Sequence, residues 1–586
     1  MAFTMKNPNY KVIEKICDKS KEINNLSFNQ FNKYKLILYS LIDFLKENEN
    51  SSNIRQDFNN LYNKLVLNKE NLYIKKNLLL TIYRALLESK EIEYNENMLY
   101  YLQKKPSRNL SGVTLITCLL SPFPNKTDVA RDKRSNLDAI KQMTERFNSL
   151  LEQGHKLDKL EIILEGETYT EYCLSYLEDF HRDLYYTANT YFNQQYRKPI
   201  SLEDEMFINR NFSDIKIIGV CVETRPDALT HQWLINFRNL GVTRVQLGLQ
   251  HTDNKLLRKV NRRAYDKDFI KAIRYLKDNC FKVDIHVMPD LPFSTPSGDI
   301  DMLNIIYESD SYKPDQLKIY PCQVSEFTKI KKWYDTGKYI PYSETDVDKF
   351  IEVMQYGLKK CPPYMRVSRV VSNIRAGNKV SNLRQMLTDK MNEENIQQND
   401  IRSREIVRHP SYLNKKQKLT VRSYVANRGI EYFISFESED ERVIYGFCRL
   451  RIPDNNSNIR FPELRNMGLI RELHVYGRVL SVGYNNSNYV QHEVLGKKLL
   501  AKAAQISFVN NKEGTAVISG VGDEKYYEKL GYSNNGHYMT KEFKLQFQEY
   551  IKYAITFCFI FYIFVLLGNF PQQINDNTDY LKLTFY

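Results

Sequence analysis

Tyr526 and Tyr527 stand in ISGVGDEKYYEKLGY (Ile518–Tyr532), downstream of RELHVYG (Arg471–Gly477) and VQHEVLGKKLL (Val490–Leu500). The three segments combine residue types suited to gripping an amide-bearing, phosphate-tailed molecule and protonating a leaving group. A strand edge supplies backbone N–H and C=O groups for amides. A glycine turn entering a helix aims N–H groups at phosphate, and the helix dipole adds to the attraction. A phenol can protonate a departing thiolate. With 42 tyrosines in the chain, the pair can equally be core packing. A second set of polar residues closes upstream apolar runs: Glu165, Glu223–Thr224–Arg225, Gln250–His251, Pro289–Asp290 and Lys318–Tyr320. Converging there, such groups can bind a charged cofactor or form ordinary salt bridges.

These residues need a scaffold, and the hydrophobic pattern describes one. Short apolar runs recur from about residue 110 with helical segments between them: 113–118, 160–165, 215–223, 244–250, 282–288, 317–320 and 365–371. Buried parallel strands read this way, and seven with helical crossovers predict an α/β fold built on an open or closed β/α barrel. Reactive groups of such barrels sit at the C-terminal ends of the strands, where the second polar set lies. Residues 1–100 read as amphipathic helices. A polar linker spans 375–425, and a mixed α/β region follows over 426–545.

The 586 residues suffice for several cores. A formal charge of +14 suits a polyanionic partner. None of the nine cysteines stands in a CxxC, and the closest pair is Cys322 and Cys361, so no local zinc or iron–sulfur motif exists. Reduced, mostly buried thiols of an intracellular protein fit that spacing. Tyr553–Phe570 is an uncharged run of 18 residues preceded by Lys541, Lys544 and Lys552. Its length predicts a transmembrane helix over 551–570 with a short tail over 571–586. The positive flank predicts a single-pass tail anchor with the body on the cytosolic face of an intracellular membrane.

Collinear motifs carry a family resemblance. KKPSRNLSG (Lys104–Gly112), VETRPD (Val222–Asp227), QLGLQ (Gln246–Gln250), MPDLP (Met288–Pro292), LKIYP (Leu317–Pro321) and IRSREI (Ile401–Ile406) occur in order ahead of the tyrosine-bearing segments. Together they resemble the catalytic subunit of Elongator, a radical-SAM barrel fused to a GNAT acetyltransferase that modifies the tRNA wobble uridine. The resemblance implies a radical-SAM-like barrel over 101–374 and a GNAT domain over 426–545. It also implies acetyl-CoA, S-adenosylmethionine and a [4Fe–4S] cluster as cofactors, and tRNA as partner.

Three departures fall on the radical chemistry. The family holds its cluster with three cysteines in a loop after the first barrel strand. Here that strand runs into LITCLLSPFPNKTDVARDKR, where Cys118 matches a non-ligand position and no other cysteine follows. One thiolate cannot hold a cluster. The family glycine pair that approaches S-adenosylmethionine reads Glu165–Gly166–Glu167–Thr168, and a carboxylate there crowds the ligand and adds charge. A family lysine associated with acetyl-CoA is Leu151, ahead of Glu152–Gln153–Gly154–His155. The radical half is therefore expected to be disabled, with the cluster absent and no metal bound.

For the acetyltransferase half, the resemblance implies that Glu472, Leu473, His474 and Val475 line the pantetheine arm. Gln491, Leu495, Gly496 and Lys497 fall in the pyrophosphate loop. Val494 replaces the first loop glycine, and valine does not take φ > 0 cheaply. Tyr527 is the implied proton donor to the thiolate, with Glu472 as a second catalytic candidate. Lys104, Lys105 and Arg108, helped by Arg402 and Arg404, are the implied tRNA contacts. Two functions stay open: an Elongator-like tRNA uridine(34) acetyltransferase whose radical half is inactive, and a non-catalytic, membrane-tethered tRNA-binding or decoy protein. Other Elongator-like subunits are not specified.

Overall fold

Apolar runs separated by amphipathic crossovers become parallel strands when both sheet faces are covered, and all seven expected strands are present. The computed structural model describes residues 28–48, 54–66, 76–104, 112–121, 137–166, 168–193, 197–370, 383–413, 415–476 and 487–543. The chain divides into two units, one of Met1–Val222 with 477–485 and 520–523, the other of the remaining residues. The division falls within the third strand, after Val222.

In the first unit, helices Phe28–Glu47, Ile54–Val66, Lys76–Glu88 and Glu96–Leu102 share one core. Leu38, Leu41, Ile42 and Leu45 bury one stripe at helical spacing. The Asn95 side chain caps the fourth helix by accepting from the Met98 N–H. Strands β1 (Thr114–Leu119), β2 (Lys159–Glu165) and β3 (Lys216–Thr224) run parallel.

The second unit continues the parallel pattern with β4 (Val242–Gln250), β5 (Lys282–Val287), β6 (Gln316–Ile319) and β7 (Arg366–Val370). Its crossover Asp266–Asp278 buries Phe269, Ala272, Ile273 and Leu276 on one face. A separate seven-stranded mixed sheet follows: β8 (Gln417–Ala426), β9 (Gly429–Ser438), β10 (Ile444–Ile452), β11 (Met467–Val475), β12 (Gly514–Val517), β13 (Ser533–Asn535) and β14 (Tyr538–Glu542). Its order is β13-β14-β12-β11-β10-β9-β8, and β11–β12 is its parallel pair. The helix Ser487–Val509 buries Leu495, Leu499, Leu500 and Ala503.

The transmembrane expectation is corrected. Among the described residues no helix is long and apolar enough to cross a membrane, and the run over 551–570 lies outside them. An 18-residue run sits near the short limit for a span, and apolar length alone does not separate a lipid-facing segment from one packed in protein. Neither a membrane anchor nor a place on the cytosolic face of a membrane is assigned to the chain.

Candidate functional site

The sheet opens where β11 changes register. On the β10 side, Arg449 faces Glu472 but Leu450 faces Ile470, so Arg471 is the extra residue of a β-bulge. A bulge bends its strand and ends regular pairing. On the other side, the β12 ladder stops at Ile470↔Val517 while β11 runs on through Glu472, Leu473, His474 and Val475. A strand that outlasts its neighbour offers its edge to an extended, amide-bearing ligand.

Buried charges pin the bulge. The Arg471 guanidinium donates to both Asp315 oxygens at 2.6 Å and to Glu431 at 2.7 Å. Arg451 bridges Asp278 at 2.6 Å and Glu431 at 3.1 Å. Arg449 donates to Glu472 at 2.8 Å and to the Tyr364 carbonyl at 2.6 Å. All three arginines are fully buried. Asp278 ends the crossover helix Asp266–Asp278 and Asp315 directly precedes β6, so the strand that would hold a cofactor is tied to the barrel by ion pairs. Breaking one buried pair by removing a partner costs about 3–5 kcal/mol.

That setting corrects the catalytic candidacy of Glu472. Burial alone would raise its pKa, but the guanidinium of Arg449, with Lys282 and Arg244 nearby, outweighs burial and holds it at about 2. A carboxylate so held is a poor proton acceptor at neutral pH; it anchors the strand instead. His474 differs. Burial pushes its pKa down to about 4 against the pull of Glu472, so the ring is neutral near pH 7. It lies against Phe447 and Tyr476, with centroids 5.9 and 4.4 Å away. Its Nε2 is buried and makes no hydrogen bond.

Tyr527 is 6% exposed and sits between Tyr526 and Tyr532, at 5.2 and 5.8 Å between centroids. Tyr532 is fixed in turn by a 2.9 Å hydrogen bond with Thr515. A Cβ on Gly496 would lie 2.6 Å from the Tyr526 hydroxyl, so only glycine lets helix and tyrosine approach this closely. The segment expected as a phosphate loop is helical: Gln491, Leu495, Gly496 and Lys497 all fall within Ser487–Val509. Leu495 and Gly496 are buried, and Val494 and Lys497 exposed. Val494 is not among the residues with positive φ.

At the barrel mouth, the His286 Nε2 meets Gln246 at 2.9 Å and Nδ1 faces Glu223 at 3.3 Å. Lys318 donates to the same Gln246 oxygen at 2.6 Å. These groups pair with one another. Cys118 lies in β1, fully buried, its thiol pushed up to about 12 by burial, so it is held as a thiol rather than a thiolate ligand. Among the described residues no group of three His, Cys, Asp or Glu side chains could hold a metal ion. A Cβ on Gly166 would meet the Tyr172 hydroxyl at 3.0 Å and Leu120 at 3.1 Å. Among the described residues, the donor set does not fit a three-thiolate cluster.

The expected tRNA residues separate. Lys104 is exposed; Lys105 and Arg108 lie outside the described residues. Arg404 is corrected: it is 3% exposed, and its guanidinium bonds Glu437 and the carbonyls of Pro363, Asn399 and Glu441. Arg402 is bonded to the Ser368 carbonyl, its pKa lowered to about 10 by burial. Both hold the linker in place. Arg449 and Arg451 were missed as organising residues. Their signal was two arginines at strand spacing inside GFCRLRI, a charged face on an otherwise apolar strand.

Residues 184–301 match the Radical SAM superfamily, and residues 314–393 the Radical SAM C-terminal domain. A tRNA uridine(34) acetyltransferase of Dehalococcoides mccartyi is 32% identical over 470 residues, covering 75% of this chain and 99% of that protein. Human Elongator complex protein 3 is 30% identical over 492 residues, covering 77% and 88%. The structure of archaeal Methanocaldococcus infernus Elp3 lacking its N-terminus matches with a TM-score of 0.65 at 31% identity, over 74% of this chain and 99% of that one.

Proposed function

The chain belongs to the family of Elongator complex protein 3 and tRNA uridine(34) acetyltransferase, and from that membership we propose that it is an acetyl-CoA-dependent, tRNA-directed acetyltransferase whose radical-SAM half is inactive. The observation that carries the acetyltransferase part is β11 running past β12 beyond the Arg471 bulge. The unbonded Nε2 of His474 on that strand and the tight Gly496–Tyr526 approach both suit a bound cofactor. In this reading 426–545 is a GNAT domain, 101–374 the barrel and 375–425 the linker.

Acetyl-CoA would supply an activated acetyl group as a thioester. The backbone of Glu472–Val475 would hold the pantetheine arm, and Leu495–Lys497 would lie at the pyrophosphate. Tyr527 would give its phenolic proton to the thiolate as the carbon–sulfur bond breaks, while the acceptor loses a proton to solvent. Neutral His474 can orient the carbonyl or the acceptor with its free ring nitrogen. Buried, protonated Cys118 and the lack of any cysteine between it and Cys173 support the loss of radical chemistry.

The missing cysteines also favour a second reading, a non-catalytic tRNA-binding protein. Calorimetry with acetyl-CoA, followed by assay of free CoA thiol with and without tRNA, separates the two. Binding with tRNA-stimulated thiol release is expected; no binding at millimolar acetyl-CoA leaves the non-catalytic reading.

A further inference from the structure

We propose that the outer edge of β8 pairs with β8 of a second copy of this chain, antiparallel across a two-fold axis at Val421, so that one sheet continues through both copies. The pairing uses a surface that the acetyltransferase reading leaves unassigned, and it holds whether or not that reading does.

Among the described residues β8 ends its sheet, paired with β9 alone. Its ten residues, Gln417–Ala426, run without proline, glycine or bulge, each opposite one residue of β9. Asn427 and Arg428, at φ +47° and +68°, form the two-residue turn, and the flanking Ala426 and Gly429 face each other. Such a turn closes on a pair that exchanges both hydrogen bonds. Counting back from Ala426, even-numbered residues bond β9. Odd-numbered residues from Gln417 to Val425 turn their N–H and C=O groups to the open edge.

Natural edges are guarded by short length, proline, a bulge or charge. The first three are missing here, and the charges are compensated by glutamates of β9 and the turn after it. Arg422 bonds Glu437 and Glu441 at 2.6 and 2.8 Å, and Lys416 and Lys418 lie 3.4 and 3.9 Å from Glu439 and Glu441. One face of the strand is apolar and uncovered. Leu419, Val421 and Val425 are 38%, 39% and 46% exposed, and Ile430, opposite Val425, is also exposed. A long, regular, apolar edge is a template for another strand.

Charge selects a second copy and fixes its register. Pairing the odd-numbered groups with one another requires an axis at a residue, not between two. An axis at Thr420 sets Lys418 against Arg422, one at Arg422 sets that residue against itself, and one at Ser423 sets Lys418 against Arg428. At Val421 no like charges meet. Val421 faces its counterpart, Leu419 faces Ser423, Thr420 faces Arg422, and Lys418 faces Tyr424, whose ring suits a cation. Leu419 also lies diagonal to the opposite Val421, so the two apolar faces join into one stripe. The two-fold consumes the edge in both copies, and assembly stops at two.

Sedimentation of the full chain from about 0.1 to 100 µM is expected to show growth from 69.4 kDa to twice that mass. Val421→Pro removes an N–H that faces only the open edge, which an edge strand tolerates; the variant should stay monomeric and still unfold cooperatively. Val421→Lys and Val421→Glu should each weaken association about tenfold or more, because the residue opposes its own copy. An equimolar mixture of the two should restore it. A wild type that stays monomeric throughout overturns the proposal and leaves the edge to a strand of another protein. A dimer that all three variants keep overturns it in favour of a different surface. Loss of association in both charge variants without rescue on mixing overturns the two-fold at Val421. If Val421→Pro fails to fold, the two charge variants and their mixture decide alone.

Discussion

At the scale of single residues, the cofactor strand separates roles that a short motif places side by side. Glu472 and His474 are two apart in ELHV, yet one is a locked anion and the other a neutral ring. Glu472→Gln is expected to destabilise the protein by about 3–5 kcal/mol at neutral pH, by stranding the buried Arg449 guanidinium. Its carboxyl is depressed from 4.5 to about 2, so the stability it confers is full above pH 4.5 and is lost as pH falls towards 2. Urea unfolding across that range checks it. For His474 the folded pKa of about 4 lies below the ordinary 6.5. Unfolding takes up a proton between those values, so stability falls as pH drops through that window, by at most about 1.4 kcal/mol per unit. His474→Gln should remove the slope. Tyr527→Phe should keep acetyl-CoA affinity within a few-fold and slow thiol release by about 10²-fold or more.

Elements show where sequence reading stops. The seven barrel strands were legible because buried parallel strands are continuous apolar runs. The bulge was not: nothing in RELHVYG marks Arg471 as the unpaired residue, because its partners Asp315 and Glu431 lie far away in sequence. A double-mutant cycle of Arg471→Met and Asp315→Asn should show a coupling of about 1–3 kcal/mol, with acetyl-CoA affinity falling in step. The phosphate segment gave the opposite lesson. Glycine spacing suggested a loop, whereas the residues are helical. Val494→Gly should therefore cost about 0.4 kcal/mol of stability, and should tighten acetyl-CoA binding only if the helix start unwinds on the cofactor. Calorimetry beside thermal unfolding separates these effects.

For the whole molecule, charge is partitioned by depth. Most described lysines lie at the surface, while guanidinium–carboxylate pairs fill the contact between the β4–β7 part of the barrel and the C-terminal sheet, joined by the buried ammonium of Lys277, whose pKa is lowered to about 8 by burial despite Glu431 and Asp315 beside it. Anaerobic reconstitution should give no stoichiometric cluster; iron and sulfide near four per chain would show that distant thiols converge. Family motifs marked the barrel and the C-terminal region. The junction between them was invisible, since ion pairs over such separations leave no periodic trace.

The pinned bulge also bears on descent. Arg451 and Arg471 share Glu431 of their own sheet and Arg449 pairs with Glu472, while Asp278 and Asp315 of the barrel supply the remaining counter-charges. A lineage that discarded the barrel would strip these guanidiniums of the barrel carboxylates that share their charge. Under the proposed loss of radical chemistry, the barrel is kept as the other half of a lock. Excision of residues 415–543 as a free fragment should accordingly yield an unfolded chain, whereas the same fragment with Arg449, Arg451 and Arg471 replaced by apolar residues should regain a cooperative fold.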